Sequence, residues 1–587
     1  MKKKALVAMI LAVSVVSLSG CSMLEKAYFL KNTLETAKKD RDTDVSVDVD
    51  VEYEPDGLMD EYEAYAYEEM PMGVSGNMMY AAGKAAYMPQ PGGEYAPIDW
   101  NTEEYKYMEE NGWLSPETAP FSTFAADVDT ASYANVRRML LEGREVPADA
   151  VRIEEMINYF DYDYPQAKGD EPFSVTTRIA PCPWNEDTRL MMIGLKAKEV
   201  PAKERTASNL VFLVDVSGSM DEYNKLPLVQ RAFRLLINEL DENDTVSLVT
   251  YASGDDIVLD GVPGSEKTQI CDAIEDLLAG GGTNGSQGII SAYKIAEDHF
   301  IEGGNNRVIL ATDGDLNIGM TDEGSLTRLI EEKAKSGVYL SVLGFGEGNI
   351  SDTNMEALAD HGNGNYSYID SIGEARKVLI EEAGSTLFTV ARDVKLQVEF
   401  NPDRVKGYRL IGYENRTMAA EDFADDTKDG GEIGSGHTVT VLYEIADDDS
   451  DFAPGKVESR YRSDEGKMEA ATENDAEEID EATTGTDAEE TDEVDPYANE
   501  WGILHIRYKE PDGEESMQLD YIIDDDCVID ELDDDLSWAA GVAQAGMILG
   551  QSDYAGTTDL SEVRDRLKAL TGNDEFREEF VYLLTRM

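Results

Sequence analysis

Five oxygen-bearing side chains, spread over a hundred positions, each sit in a local pattern that places them at a strand end: Asp215, Ser217 and Ser219 in VFLVDVSGSM, Thr283 in AGGGTNGSQG, and Asp313 in RVILATDGD. Each group follows a short apolar run or a glycine cluster, the mark of a buried strand giving way to a loop. Two carboxylates and three hydroxyls, with no Cys or His among them, form a hard, all-oxygen donor set. Such a set suits a small divalent cation, above all magnesium, with manganese or calcium as alternatives. Taken singly, each fragment also fits a plain helix cap or turn. The three in succession point to a metal site.

The surrounding pattern supplies the elements that would hold them. Strands are expected at 208–215, 245–251, 307–312, 338–344 and 365–369, and helices at 225–240, 285–300 and 372–384. This alternation predicts a doubly wound α/β unit with a mostly parallel sheet covered on both faces. Ligands of such sheets bind at the carboxyl ends of the strands. Gly280, Gly281 and Gly282 let the loop carrying Thr283 turn tightly.

Residues 206–385 resemble a von Willebrand factor type A domain, and the five residues match its metal-ion-dependent adhesion site one for one. The resemblance implies that Ser217, Ser219 and Thr283 reach the metal and that Asp215 and Asp313 act directly or through water. It also implies that an Asp or Glu carboxylate of a protein partner completes the coordination. From about residue 99 to the end, the stretches FAADVDTASYANVRR, RIEEMINYFDYDYP, APCPWN, NRVILATDGDLNIG, EALADHGNGNYSYID and FNPDRVKGYRLIGYENR resemble bacterial von Willebrand factor type A lipoproteins with their own flanking domains.

Strand-like segments lie on both sides of the α/β unit: SVTTRIAPCPW and TRLMMIGLKA before it, VKLQVEF, YRLIGYE, HTVTVLYEI, GILHIRYK and QLDYIIDDD after it. They predict one antiparallel, sandwich-like domain of discontinuous sequence into which the parallel unit is inserted. DTASYANVRRMLLEG, capped by Asp129 or Thr130, and AVRIEEMINYFDY read as helices, as do 533–550, 558–570 and 573–586. The resulting division is a lipoprotein signal peptide at 1–20, an acidic Tyr- and Met-rich tether at 21–98, an N-terminal flank at 99–205, the metal-binding unit at 206–385, a β-rich domain at 386–530 with an acidic insertion at 446–498, and terminal helices at 531–587. Within that insertion, residues 463–495 hold fifteen Asp or Glu against one Lys, a composition that predicts solvated disorder.

MKKKALVAMILAVSVVSLSGC has a basic start and an apolar stretch short for a membrane span. Leu18-Ser19-Gly20-Cys21 resembles a bacterial lipobox, which implies cleavage before Cys21, lipidation of its thiol and an extracytoplasmic, membrane-anchored chain. Cys182, Cys271 and Cys527 are too few for a disulfide framework, though a Cys182–Cys527 bridge is open and Cys271 is placed at the start of a helix. The net charge of −71 argues strongly against a nucleic-acid partner, because a phosphate backbone would be repelled. His299, His361, His437 and His505 lack zinc spacing, and GFGEGN lacks the Lys and Ser/Thr of a phosphate loop. The expected function is a non-enzymatic binding or adhesion module. An envelope assembly scaffold with a structural metal and a metal-dependent hydrolase are the alternatives. Oligomeric state is not legible.

Overall fold

Residues 103–587 are described by the computed structural model, except 127–128, 170, 202–204, 315–322, 383, 385–387, 429, 451, 453–495, 512 and 514. The signal peptide with Cys21, the tether and most of the acidic insertion therefore lie outside the described residues. Before the parallel unit come β1 (Phe121–Ala125), α1 (Ala131–Glu142), α2 (Ile153–Asn158) and the hairpin β2 (Phe173–Pro181) and β3 (Arg189–Ala197). The unit itself contains β4 (Ser208–Asp215), α3 (Leu226–Glu239), β5 (Thr245–Tyr251), β6 (Asp255–Pro263), α4 (Lys267–Glu275), α5 (Gly285–Asp298), β7 (Asn305–Thr312), α6 (Glu323–Ala334), β8 (Tyr339–Phe345), α7 (Asp352–His361), β9 (Tyr366–Ile369) and α8 (Ile372–Arg376). After it follow β10 (Thr389–Phe400), β11 (Val405–Ile411), β12 (Thr417–Met418), β13 (Gly431–Gly434), β14 (Thr438–Asp447), β15 (Glu500–Lys509), β16 (Ser516–Asp524), α9 (Asp534–Leu549), α10 (Leu560–Leu567) and α11 (Glu575–Leu583).

The continuous apolar runs NLVFLV and RVILA become the two central strands β4 and β7, buried along their whole length. Among the described residues the sheet runs β6-β5-β4-β7-β8-β9, parallel throughout except for β6. From β4 the chain passes to β5 on one side and later to β7 on the other. The crevice between β4 and β7 is thus the topological switch point, where open α/β sheets accept ligands. Apolar clusters line both faces, with Phe212 stacked on Phe233 beneath α3 on one and Tyr251 and Tyr293 on the other.

The flanks do form one sandwich. Strand β1 pairs with β10 in one sheet, and β3 pairs with β14 in the other, so chain from both sides of the parallel unit shares each sheet. The interior between them holds Phe124, Ile193, Leu396, Phe400, Tyr408, Val441 and Tyr443. A third layer, α1, α2 and the three terminal helices, covers the outer face of β11-β14-β3-β2, so β14 is buried at every position. Helices α9 and α10 approach closely at Gly541, where a Cβ would lie 2.4 Å from Leu567. Trp538 is fully buried at the centre of this layer. The terminal helices are therefore part of the fold's core and not a detachable appendage.

Several local expectations change. Strand β6 reads as a polar segment because it is a half-exposed antiparallel edge with no apolar face to reveal it. Cys271 sits in the middle of α4, not at its start. The helix expected over 372–384 is shorter: α8 passes into a π-turned segment at Lys377–Glu381. Thr130 occupies the cap position of α1 without a side-chain hydrogen bond; the Ser132 amide donates instead to Glu155 Oε2 on α2, at 2.8 Å. Asp129 is engaged elsewhere, accepting from the Tyr366 amide at 2.9 Å and from Arg416 at 3.1 Å. Cys182, Cys271 and Cys527 are free thiols, so the Cys182–Cys527 bridge is not formed. Among the described residues no helix is long and apolar enough to cross a membrane.

Candidate functional site

Asp215 ends β4 and Asp313 directly follows β7, so the two carboxylates face the switch point from adjacent strands, both at 0% exposure. The Ser217 amide donates to Asp215 Oδ1 at 2.8 Å, and Thr312 Oγ1 donates to Oδ2 at 3.4 Å. The chain then enters a 3₁₀ turn at Gly218–Met220, which brings Ser217 Oγ within 2.9 Å of Ser219 Oγ. Ser217 is buried and Ser219 half-buried, so the hydroxyl pair looks out at the rim of the crevice.

The second loop is tied to the first by backbone bonds. The Gly280 amide donates to the Val216 carbonyl at 2.8 Å, and the Gly218 amide to the Gly281 carbonyl at 3.2 Å. Gly281 holds φ +90°, a backbone region closed to most side chains, and a Cβ there would meet Ser253 Oγ at 2.9 Å. That conformation delivers half-buried Thr283 just ahead of α5. Along α5, Gly288 permits close approach to Tyr251, to whose Cβ an added methyl would lie 2.8 Å. All five sequence-identified residues thus lie on three loops at one end of the sheet.

The electrostatics favour a cation. Burial is the main cause that pushes the Asp215 carboxyl up to about 6; the neighbouring Asp313 charge adds to it, and the hydrogen bonds from Ser217 oppose it. A carboxylate held in that state gains from a nearby positive charge. Among the described residues no three His, Cys, Asp or Glu side chains converge as a metal cluster, so a metal here depends on the hydroxyls of Ser217, Ser219 and Thr283 as well as on the two aspartates. The residues fit an oxygen-seeking divalent cation.

The structure adds residues that sequence reasoning missed. Lys225 is buried at 3% exposure, and its Nζ donates to Asp313 Oδ2 at 3.0 Å and to Asn349 Oδ1 at 3.2 Å. Lysine is ordinarily a surface residue, and nothing in its local pattern shows it turning inward. Its stem crosses Gly346 of the GFGEGN stretch, whose glycine has this packing role in place of phosphate binding. Tyr223 and Leu278 stand 79% and 83% exposed on the same two loops as Ser219 and Thr283.

Parallel sheet, switch-point loops and oxygen donors together define a von Willebrand factor type A domain protein. Residues 209–380 match the von Willebrand factor type A domain family, 99–192 match a von Willebrand factor family, and 385–587 match the family described as uncharacterized protein YfbK, C-terminal. The chain is 38% identical over 513 residues to the uncharacterized protein YfbK of Escherichia coli (strain K12), a match covering 86% of this chain and 83% of that one. It belongs to the YfbK family. It is also 32% identical over 190 residues to the uncharacterized protein sll0103 of Synechocystis sp., covering 32% of this chain and 43% of the relative. A solved von Willebrand factor type A protein from Catenulispora acidiphila aligns with 70% of this chain and 90% of its own, at 14% identity and a TM-score of 0.37. Proteins with this domain commonly bind a divalent cation and protein partners, and are generally adhesion or scaffold modules rather than enzymes.

Proposed function

We propose that this chain is a lipid-anchored, extracytoplasmic binding module that captures an Asp or Glu carboxylate of a protein partner at a metal-ion-dependent adhesion site. The observation that carries this reading is the placing of two fully buried carboxylates, Asp215 and Asp313, at the switch point, with the Ser217–Ser219 hydroxyl pair beside them. Ser217, Ser219, Thr283, Asp215 and Asp313 would hold the ion, with magnesium the preferred occupant and manganese or calcium the alternatives. When bound, the ion supplies an open coordination position for an anionic oxygen.

The chain's own residues do the rest. The Ser217 amide orients Asp215, the paired glycine loops hold Thr283 in register, and Lys225 engages Asp313. Neither carboxylate is left as a general base, which speaks against hydrolysis. Exposed Tyr223 and Leu278 supply apolar contact area at the rim, the kind of anchor that gives an interface its affinity. Anchoring through Cys21 would keep this face outside the cytoplasm.

The test is crosslinking in intact cells followed by mass spectrometry, comparing wild type with Asp215→Ala and Thr283→Ala, and repeating the capture in EDTA. Loss of the same partner in all three conditions, with the fold retained, supports the reading. Partner recovery indifferent to both substitutions and to chelation refutes it.

A further inference from the structure

The ammonium of Lys225 is a built part of the candidate metal site. Its nitrogen lies 3.0 Å from Asp313 Oδ2 and 3.2 Å from Asn349 Oδ1, while only 4% of the side chain is exposed. The stem is fixed by the backbone it crosses. Gly346 holds φ +78°, and a Cβ there would lie 2.3 Å from Lys225 Cγ and 2.4 Å from Cε. Any other residue at 346 would occupy the channel of the lysine. Lys225 also caps the start of α3, where its carbonyl accepts from the Val229 amide at 3.0 Å, so its backbone is anchored as well. A charged side chain confined this way is a permanent feature of the site, not a passing surface contact.

We propose that Lys225 is a positioning residue that sets the net charge of the metal site and thereby makes it a receptor for an anionic carboxylate. This rests on the metal-site reading above. Asp215 and Asp313 carry two negative charges, which a divalent cation alone would cancel, leaving a neutral centre with little pull on a carboxylate. The fixed ammonium adds one positive charge, and the loaded site is then left net positive. It does so through Asp313 Oδ2, the oxygen to which its ammonium donates. The same charge weakens cation binding, because it stands close to a dication in a partly desolvated setting. Lys225 therefore trades metal affinity for carboxylate affinity. This matters for a chain with a net charge of −71, whose long-range field repels acidic partners.

The opposed signs make the test decisive. Manganese is titrated into the full-length wild-type and Lys225→Met proteins, with free ion followed by electron paramagnetic resonance. Acetate is then titrated into the manganese-loaded proteins and followed by water proton relaxation. Lys225→Met is expected to bind manganese about tenfold more tightly and acetate about tenfold more weakly, the scale of one unit charge near a protein surface. Lys225→Arg should retain acetate binding. Manganese affinity that falls or stays unchanged in Lys225→Met, or acetate affinity that stays unchanged, overturns the proposal. If Lys225→Met does not fold, Lys225→Gln, which removes the charge and keeps a polar side chain beside Asp313, must show the same two shifts. A wild-type protein that binds no manganese refutes the metal-site reading itself, whereas wild-type binding with an unchanged variant refutes only the role of Lys225.

Discussion

Replacing Arg137 with methionine should unlock the parallel unit from its flank. On α1, Arg137 Nη2 lies 2.5 Å from Asp370 Oδ1 and 2.8 Å from Glu374 Oε2, and Nη1 donates to the Tyr159 hydroxyl at 2.8 Å. Side-chain exposures of 4%, 7% and 1% for Arg137, Asp370 and Glu374 mean that water cannot take over the interaction. Removing one partner of a buried pair costs roughly 3–5 kcal/mol because the remaining charge is stranded. Here two buried carboxylates are stranded and the half-exposed Glu579, 3.5 Å from Nη1, loses its partner too, but Lys377 lies near Glu374 and relieves part of the loss, so about 4 kcal/mol is expected near pH 7.5. The loss should depend on pH. Burial already pushes the Glu374 carboxyl up, with Arg137 the main opposing influence. Without Arg137 it rises further, and a carboxyl whose folded pKa exceeds its unfolded value of about 4.3 loses stability as pH climbs from that value through the folded one. The deficit should therefore be smaller at pH 5 than at pH 7.5. Urea unfolding at both values measures it, and adding Glu374→Gln to Arg137→Met should return part of the loss. A deficit below about 1 kcal/mol at pH 7.5, or one that ignores pH, would show that the clamp is not a structural charge pair.

Magnesium at a hundred times its dissociation constant should stabilise the wild-type protein by about 2.7 kcal/mol, seen as a rise in melting temperature, and Thr283→Ala should lose most of that rise. An equal rise in both proteins would place the ion elsewhere. Tyr223→Ala together with Leu278→Ser should weaken partner capture several-fold while leaving the magnesium-induced melting shift intact; undiminished capture would remove these side chains from the interface. Cys182 is buried and its thiol is pushed up to about 12, mainly by burial, so it should resist a thiol reagent until the protein unfolds. Mass-spectrometric detection of a Cys182–Cys527 disulfide in native protein would contradict the fold of this region.

The parallel unit was legible because its signals are local. Buried strands such as β4 and β7 are apolar throughout, and the loops after them carry residue types that few other roles demand. The discontinuous sandwich was legible from strands on both sides of that unit. What escaped depends on contacts distant in sequence. Strand β6 owes its place to pairing with β5 and not to its own composition. The capping of α1 by Glu155 needs α2 folded back on it. Lys225 meets Asn349 across 124 residues, and no spacing rule links them. The terminal helices were legible as helices, but their place in the core, where Trp538, Leu567 and Phe580 pack, depends on contacts with α1 and α2 far away in sequence.

The flank and the candidate metal face share one helix. Arg138 donates to Glu103 Oε2 at 3.1 Å, Glu103 Oε1 accepts from the Gly348 amide at 2.9 Å, and the Glu104 amide donates to the Ile350 carbonyl at 3.0 Å. Between Gly348 and Ile350 lies Asn349, which holds Lys225, which in turn holds Asp313. One position along α1, Arg137 grips Asp370 and Glu374 at the start of α8. Helix α1 therefore touches both the loop beside the metal face and the terminal helix of the parallel unit. Asn349 bonds to Lys225, its loop is bonded to Glu103, and Arg138 holds Glu103, so α1 is joined to Lys225 by an unbroken chain of contacts. Thermodynamic reciprocity gives this spatial continuity a measurable content. If carboxylate capture strains the Arg137 clamp, loosening the clamp must change carboxylate affinity by the same free energy. An acetate affinity of the manganese-loaded protein that is the same in Arg137→Met as in wild type would keep the flanking helices outside the energetics of the binding site.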